Sequence, residues 1–133
     1  MPLMYIGLPS FYGAWLYLTT GFTQHAGLAE DVLDHRLNCR TVYMNPVVRF
    51  LYWEMNYHVE HHMFPMVPYH ALPKLHVEMR GELPFIYPSV WSAYREIIPT
   101  LWRQRKEPTY FSRHELPAAM TQREAARHDA KAA

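Results

Sequence analysis

A stretch without charge at the start of the chain constrains its fold more than any other feature. Residues 1–23 contain no Asp, Glu, Lys or Arg. As one straight helix they would extend about 34 Å, enough to cross the roughly 30 Å hydrocarbon core of a bilayer. Pro9 favours the first turn of a helix over its interior, and several glycines interrupt the stretch. We therefore predict a membrane helix over about residues 10–23, which is short for a complete span.

Two other interpretations of this segment compete with a membrane helix. A cleaved signal peptide would need basic residues before its apolar part and small residues at its end, and the sequence has neither. A helix buried in a soluble core fits the pattern as well. We prefer the second half of a membrane helix whose first part, or whose neighbours in a helical bundle, lie upstream of Met1. The chain is then expected to be the C-terminal part of a longer protein.

Charge and cysteine content exclude two classes of protein. The formal net charge of the 133 residues is +1, and the basic surplus after residue 103 is too mild and too scattered to indicate nucleic-acid binding. The single cysteine, Cys39, excludes an intrachain disulfide. We predict a structural role for Cys39 and no role as a metal ligand.

Capping residues and helix breakers predict the first helices after the apolar stretch. Residues 26–44 carry mixed charge and are predicted to form a polar connector with one helical turn. Asn45 and Pro46 are typical of a helix start. No breaker follows until Pro65, which predicts one helix over about 46–63.

Two more helices are predicted within residues 72–106. The first is short and amphipathic, and the second begins at Ser89 and is kinked by Pro99. The tryptophans and arginines of the second helix suit a membrane interface, and packing onto a soluble core is an equal alternative. The charged, Ala-rich tail over 107–133 is predicted to be disordered or a frayed helix. The predicted fold class is all-α.

Residues 56–62, Asn-Tyr-His-Val-Glu-His-His, carry the strongest functional signal. In a helix, His58, His61 and His62 stand at i, i+3 and i+4 and leave the same face. Three neutral imidazoles that converge suit iron, zinc, copper or nickel, whereas magnesium and calcium prefer oxygen ligands. The pattern therefore predicts a metal site on the helix over 46–63.

Other candidate site residues are weaker on pattern alone. His25 follows the apolar stretch, where a histidine is more often an interfacial polar residue than a ligand. Asn56 and Glu60 either orient a ligand or a metal-bound water, or are ordinary helix residues. His35 lies in the charged connector and is predicted to be solvated. His70 and His76 are assigned surface or packing roles, with a hydrogen bond to a metal-ligand residue as the alternative. His114 and His128 in the tail are assigned no role.

Residues 56–76, NYHVEHHMFPMVPYHALPKLH, resemble the third histidine box and the segment after it in the membrane fatty acid desaturase family. The matching features are the HxxHH core, the Asn-Tyr before it, the Phe-Pro after it and the run Pro-x-x-x-Leu-Pro-x-Leu-His. Residues 23–41 resemble the stretch before that box in a bacterial branch of the family. HxxHH alone also occurs in membrane hydroxylases, ketolases and sterol-modifying enzymes, so the extended segment is the more specific signal.

The resemblance implies a non-haem di-iron enzyme in a multi-pass membrane bundle, with its site on the cytoplasmic side. Such an enzyme uses dioxygen to introduce a C=C bond into a fatty acyl chain linked to lipid, coenzyme A or a carrier, and a ferredoxin-type or cytochrome b5-type donor supplies electrons. By position, His58, His61 and His62 match iron ligands. His25 matches an additional ligand, and Asn56 matches a residue that holds a water on iron.

The family pattern is incomplete in this sequence. Members carry two earlier boxes, HxxxH and HxxHH, and the residues before 56 contain neither. We therefore expect a C-terminal fragment, with residues 1–106 from the desaturase domain, that needs the missing N-terminal part of its own chain and is inactive alone. Two alternatives stay open. One is hydroxylation of a hydrocarbon or acyl chain by the same di-iron centre, and the other is a non-catalytic, membrane-associated protein that binds one zinc.

Overall fold

A computed structural model describes residues 3–118 of the chain. The regular elements within this range are helical and include no strand, which confirms the predicted all-α class. The α-helices are α1 (Leu8–Leu16), α2 (His35–Asn38), α3 (Pro46–Leu51), α4 (His58–Met63), α5 (Leu72–Met79) and α6 (Val90–Gln104).

The uncharged N-terminal stretch is helical throughout its described part. Single π-helical turns over Leu3–Gly7 and Tyr17–Gly21 flank α1, and a 3₁₀ turn over Phe22–Gln24 ends this N-terminal helical run. Within the described residues, no helix combines the length and the apolar character needed to cross a membrane. The membrane helix over about 10–23 therefore stays a prediction.

The single helix predicted over 46–63 is corrected by the structure, which divides the region into α3 and α4. The side chain of Asn45 caps α3, as predicted, by accepting a hydrogen bond from a backbone N–H at 2.9 Å. The chain then reverses at Trp53 and Glu54, whose φ angles are +56° and +55°. Arg49 holds the Glu54 carboxylate in an ion pair of 2.8 Å, which stabilises this turn. Neither glycine nor proline marks the break, and the sequence pattern therefore missed it.

Both helices predicted within 72–106 are present as α5 and α6. The hydroxyl of Ser89 accepts a hydrogen bond from the backbone N–H of Ser92 at 3.1 Å, and the Ser92 hydroxyl accepts one from the Ser89 N–H at 3.2 Å. These reciprocal bonds satisfy two donors that a helix start otherwise leaves free. Pro99 lies inside α6, as the sequence predicts.

An extended segment over residues 39–43 runs through the centre and joins the helices. The Val42 N–H donates to the carbonyl of Asn56 at 3.0 Å, and the Tyr43 N–H donates to the carbonyl of Tyr87 at 2.8 Å. Two clusters of buried apolar side chains flank the segment. One consists of Cys39, Val59, Met79 and Leu83, and the other of Val42, Tyr87, Ala93 and Ile97.

Arg40 in this segment is a buried cation that ties the end of the N-terminal helical run to α6. Its side chain is 0% exposed and donates to the Glu96 carboxylate at 2.9 Å. It also donates to the carbonyls of Ala26 at 2.7 Å and Thr23 at 3.3 Å. The guanidinium therefore satisfies carbonyls at the end of a helical run, where no helical N–H is available to them.

The tail predicted to be disordered over 107–133 is corrected in its first part. The Ser112 N–H donates to the Gly27 carbonyl at 2.8 Å. His114, for which the sequence predicts no role, is 5% exposed in its side chain and lies 3.1 Å from the Tyr87 hydroxyl. The prediction for residues 119–133 lies outside the described residues.

Candidate metal centre

Two separate segments of the chain bring three histidines together. His25 follows the last turn of the N-terminal helical run, and His58 and His62 stand one turn apart on α4. One nitrogen of each ring lies within 4.8 Å of the others. The Nε2 atom of His58 is 2.7 Å from Nε2 of His25 and 3.1 Å from Nε2 of His62. These three residues are named the histidine cluster below.

A backbone carbonyl fixes the orientation of the exposed member of the cluster. Nδ1 of His25 lies 3.1 Å from the carbonyl oxygen of Asn38. Because a carbonyl oxygen can only accept, Nδ1 carries the proton and donates it. The lone pair of the neutral ring is then on Nε2, the atom that faces His58. This arrangement, in which one ring nitrogen donates to the protein and the other is left free, is typical of a metal-binding histidine.

Burial keeps the other two rings neutral. The pKa of His58 is lowered to about 3, mainly by burial and secondly by the neighbouring His25, His62 and His61. Burial is also the main cause that lowers the pKa of His62. Both imidazoles are therefore unprotonated at neutral pH, which is the form that binds a metal.

The donor set fits a first-row transition metal such as iron. Imidazole nitrogens bound to one such metal, each at about 2.0–2.1 Å, stand about 3.0–3.4 Å from each other. The two distances of 2.7 and 3.1 Å from His58 are close to that separation. All three donors are imidazole nitrogens, which iron, zinc and copper accept and which magnesium and calcium do not favour.

His61, the fourth predicted ligand, lies beside the cluster. Its ring centroid is 5.9 Å from that of His58 and 5.7 Å from that of His62. Consecutive residues of an α-helix are separated by about 100°, so His61 leaves α4 at an angle to His62 although both lie on the same broad face. Nδ1 of His61 is buried and has no hydrogen-bond partner among the described residues. The structure thus brings together three of the four predicted ligands.

Asn56 and Glu60 contact groups other than the predicted ligands. Asn56 is fully buried, and its side-chain N–H donates to the Val42 carbonyl at 3.1 Å. The predicted water-mediated contact of Asn56 with iron stays a prediction. The fully buried Glu60 carboxylate accepts hydrogen bonds from the Thr41 hydroxyl at 2.5 Å and from Nδ1 of His76. Glu60 therefore ties α4 to α5 on the side away from the rings.

Sequence reasoning ranked a hydrogen-bonding role for His76 below a surface or packing role, and it missed His35 and Cys39. His76 is 5% exposed and bonds to Glu60 and, through Nε2, to the Tyr43 hydroxyl at 2.8 Å. His35 and Cys39 approach His62 from α2, and the ring centroids of His35 and His62 are 5.0 Å apart. The spacing of four residues between His35 and Cys39, combined with the capping Asp34, was the available signal.

Comparison with protein-family models identifies the family of the chain. The family model described as fatty acid desaturase matches residues 1–94, which is more than half of the chain. The chain belongs to the fatty acid desaturase family. Both segments that supply the histidine cluster lie within the matched residues. Desaturases are oxidoreductases, use iron and are generally membrane-associated. Comparison with curated proteins and with solved structures gives no match.

Proposed function

We propose that this chain supplies part of a histidine-ligated iron centre that introduces a C=C bond into a fatty acyl chain. The observation that carries the proposal is the histidine cluster. Three imidazoles from two segments face one another, within 4.8 Å, in a chain of the desaturase family. Neutral donors hold a cation through changes of oxidation state without adding buried negative charge.

Each residue of the cluster has a defined part in holding the metal. Iron bound there would supply the activation of dioxygen and the removal of two hydrogens from adjacent carbons of the acyl chain. The Asn38 carbonyl keeps the proton of His25 on Nδ1 and leaves Nε2 for the metal. Burial keeps His58 neutral. Glu60 binds α4 to α5 through His76 and so holds α4 in the orientation that directs His58 and His62 towards His25.

We further propose that the complete centre contains two irons and that His61 is a ligand of the second. The buried Nδ1 of His61 lacks a partner among the described residues, as expected for a ligand whose metal is supplied later. Four histidines are too few to hold two irons. We propose that the remaining ligands come from another polypeptide segment and that the 133 residues alone are inactive.

Location and partners follow from the same proposal. Large apolar side chains of the N-terminal helical run are exposed, including Tyr5 at 77% and Phe11 at 84%. Such a surface supports contact with membrane lipid or with further helices of a multi-pass bundle. We propose a centre on the cytoplasmic side, a substrate acyl chain linked to lipid, coenzyme A or a carrier, and an electron donor of the ferredoxin or cytochrome b5 type.

Product analysis tests the proposed reaction. Membranes that contain the whole product of the open reading frame are supplied with a ferredoxin, its reductase, NADPH and dioxygen, and fatty acids are analysed by gas chromatography and mass spectrometry. We expect an acyl product that has lost two hydrogens, and we expect it to disappear in His62→Gln. The exposed His70→Gln is the matched control and should retain activity. An oxygenated product without a double bond would contradict desaturation and favour hydroxylation.

A further inference from the structure

A second group of metal-ligand side chains lies next to the histidine cluster. One ligand atom each of His35, Cys39 and His62 lies within 4.8 Å of the other two. His35 begins α2, and Cys39 follows its last residue, so the spacing of four residues brings both to one side of this single turn. Asp34 fixes the turn because its side chain accepts a hydrogen bond from the Arg36 N–H at 3.0 Å. Two ligands therefore come from one short, capped turn.

The sulfur of Cys39 is buried beside the histidine cluster, and its thiol donates a hydrogen bond to the Asn38 side chain. The residue is 0% exposed and packs against Val59, Met79 and Leu83. Its Sγ lies 2.9 Å from Oδ1 of Asn38 and 3.7 Å from Nδ1 of His25. His35 is half-buried, and its Nδ1 lies 3.4 Å from the same Asn38 oxygen. Neither ligand is engaged in an ion pair among the described residues.

We propose that His35, Cys39 and His62 form a second metal site, which takes a divalent cation of the zinc class. One thiolate and two imidazoles suit zinc or cobalt, and three protein ligands leave the fourth tetrahedral position open to water. On binding, the Cys39 thiol releases its proton to solvent and the sulfur bonds to the cation, with no change of oxidation state. The site differs from the histidine cluster in ligand type, because it contains sulfur.

The two sites share His62, so variants of their other ligands separate them. His35 and Cys39 belong to the second site, and His25 and His58 belong to the histidine cluster. The sulfur provides a specific signal, since Cys39 is the single cysteine of the chain. A thiolate-to-metal absorption band therefore reports a cation that is bound by Cys39.

Cobalt titration of the purified 133-residue chain tests the site. The titration is performed anaerobically with a phosphine reductant, and near-ultraviolet absorption detects thiolate-to-Co²⁺ charge transfer. We expect the band in the wild type, its loss in Cys39→Ser, and an increase of at least about tenfold in the Co²⁺ Kd in His35→Gln. The exposed His70→Gln, outside both groups of ligands, is the matched control and should retain the band.

Three results would overturn the second site. They are a wild-type Co²⁺ complex without the band, a band that persists in Cys39→Ser, and a Co²⁺ Kd that is unchanged in His35→Gln. Circular dichroism establishes that each variant is folded, and His35→Gln tests the site even where Cys39→Ser does not fold. Failure of the proposed desaturase function leaves these outcomes unchanged, because they depend on no acyl product.

Discussion

At the scale of single residues, backbone contacts determine which atoms the site offers. The Asn38 carbonyl places the proton of His25 on Nδ1, which leaves Nε2 facing His58. The sequence predicted His58 and His62 from their helical spacing. It ranked His25 as weak on pattern alone, because the partner that orients it lies 13 residues away and comes close only through the fold.

Glu96 is the residue for which pH dependence is most directly expected. Burial raises its pKa, but hydrogen bonds from His114, Tyr87 and Arg40 outweigh burial and hold the pKa well below its ordinary value. A carboxyl group with a lowered pKa in the folded state contributes stability above the pKa of the unfolded chain, and loses that contribution as pH falls towards the folded value.

We expect Glu96→Gln to lower the free energy of unfolding by about 1–3 kcal/mol at pH 7. The difference from the wild type should shrink as the pH is lowered from about 4.5 towards 2, because the wild-type carboxylate loses its contribution there. Urea unfolding followed by circular dichroism measures both. Glu107→Gln is the control, since the Glu107 side chain is 56% exposed. If the difference in unfolding free energy between Glu96→Gln and the wild type did not change with pH, the lowered pKa of Glu96 would be contradicted.

Gly27 offers a second residue-scale prediction because it lies just after His25. Its φ is +74°, and an added Cβ would lie 2.7 Å from Cγ2 of Thr100. We expect Gly27→Ala to lower the free energy of unfolding by about 1–3 kcal/mol. At Gly13 in α1 an added Cβ meets nothing within 4 Å, and Gly13→Ala should raise stability by about 0.5–1 kcal/mol. Denaturant titration measures the unfolding midpoint of each variant. The midpoint should fall in Gly27→Ala and rise in Gly13→Ala.

At the scale of elements, the sequence predicted where helices begin better than where they end. Asn45 and Ser89 cap helices because their side chains satisfy local N–H groups, and such bonds depend on neighbouring residues alone. The end of α3 depends on two residues with positive φ and on the ion pair between Arg49 and Glu54. That turn is stable only in its tertiary setting, so the pattern predicted one longer helix.

The attachment of α4 to α5 leads to a prediction for this pair of helices. Glu60 is 0% exposed and bonds to His76 on α5. Glu60→Gln removes the charge from this pair, and we expect it to lower the free energy of unfolding by about 1–3 kcal/mol. The exposed Glu78→Gln, also on α5, should have no measurable effect. Thermal unfolding of the two variants measures the difference, and equal melting temperatures would contradict a structural role for Glu60.

At the scale of the whole molecule, capping residues, helix breakers and apolar periodicity predicted the all-α class, but they did not predict the tertiary arrangement. Apolar periodicity identifies helices, but it does not reveal that Arg40 is buried against Glu96. Nor does it reveal that Ser112 binds the backbone of the Gly27 turn, because a polar sequence is usually solvated. The same limit applies to the site. The sequence identified the ligand types, and the fold determined which of them meet: His25 joins His58 and His62, and His35 and Cys39 approach His62.

The convergence of the two segments on one iron is the central claim, and one binding measurement tests it most directly. Fe²⁺ binding to the purified chain is measured by anaerobic equilibrium dialysis, with metal quantified by mass spectrometry, for the wild type and for His25→Gln. We predict one tightly bound iron per wild-type chain and a Kd at least about tenfold higher in the variant. Equal iron affinity in the two proteins would contradict the account, because His25 is the ligand that the N-terminal segment supplies.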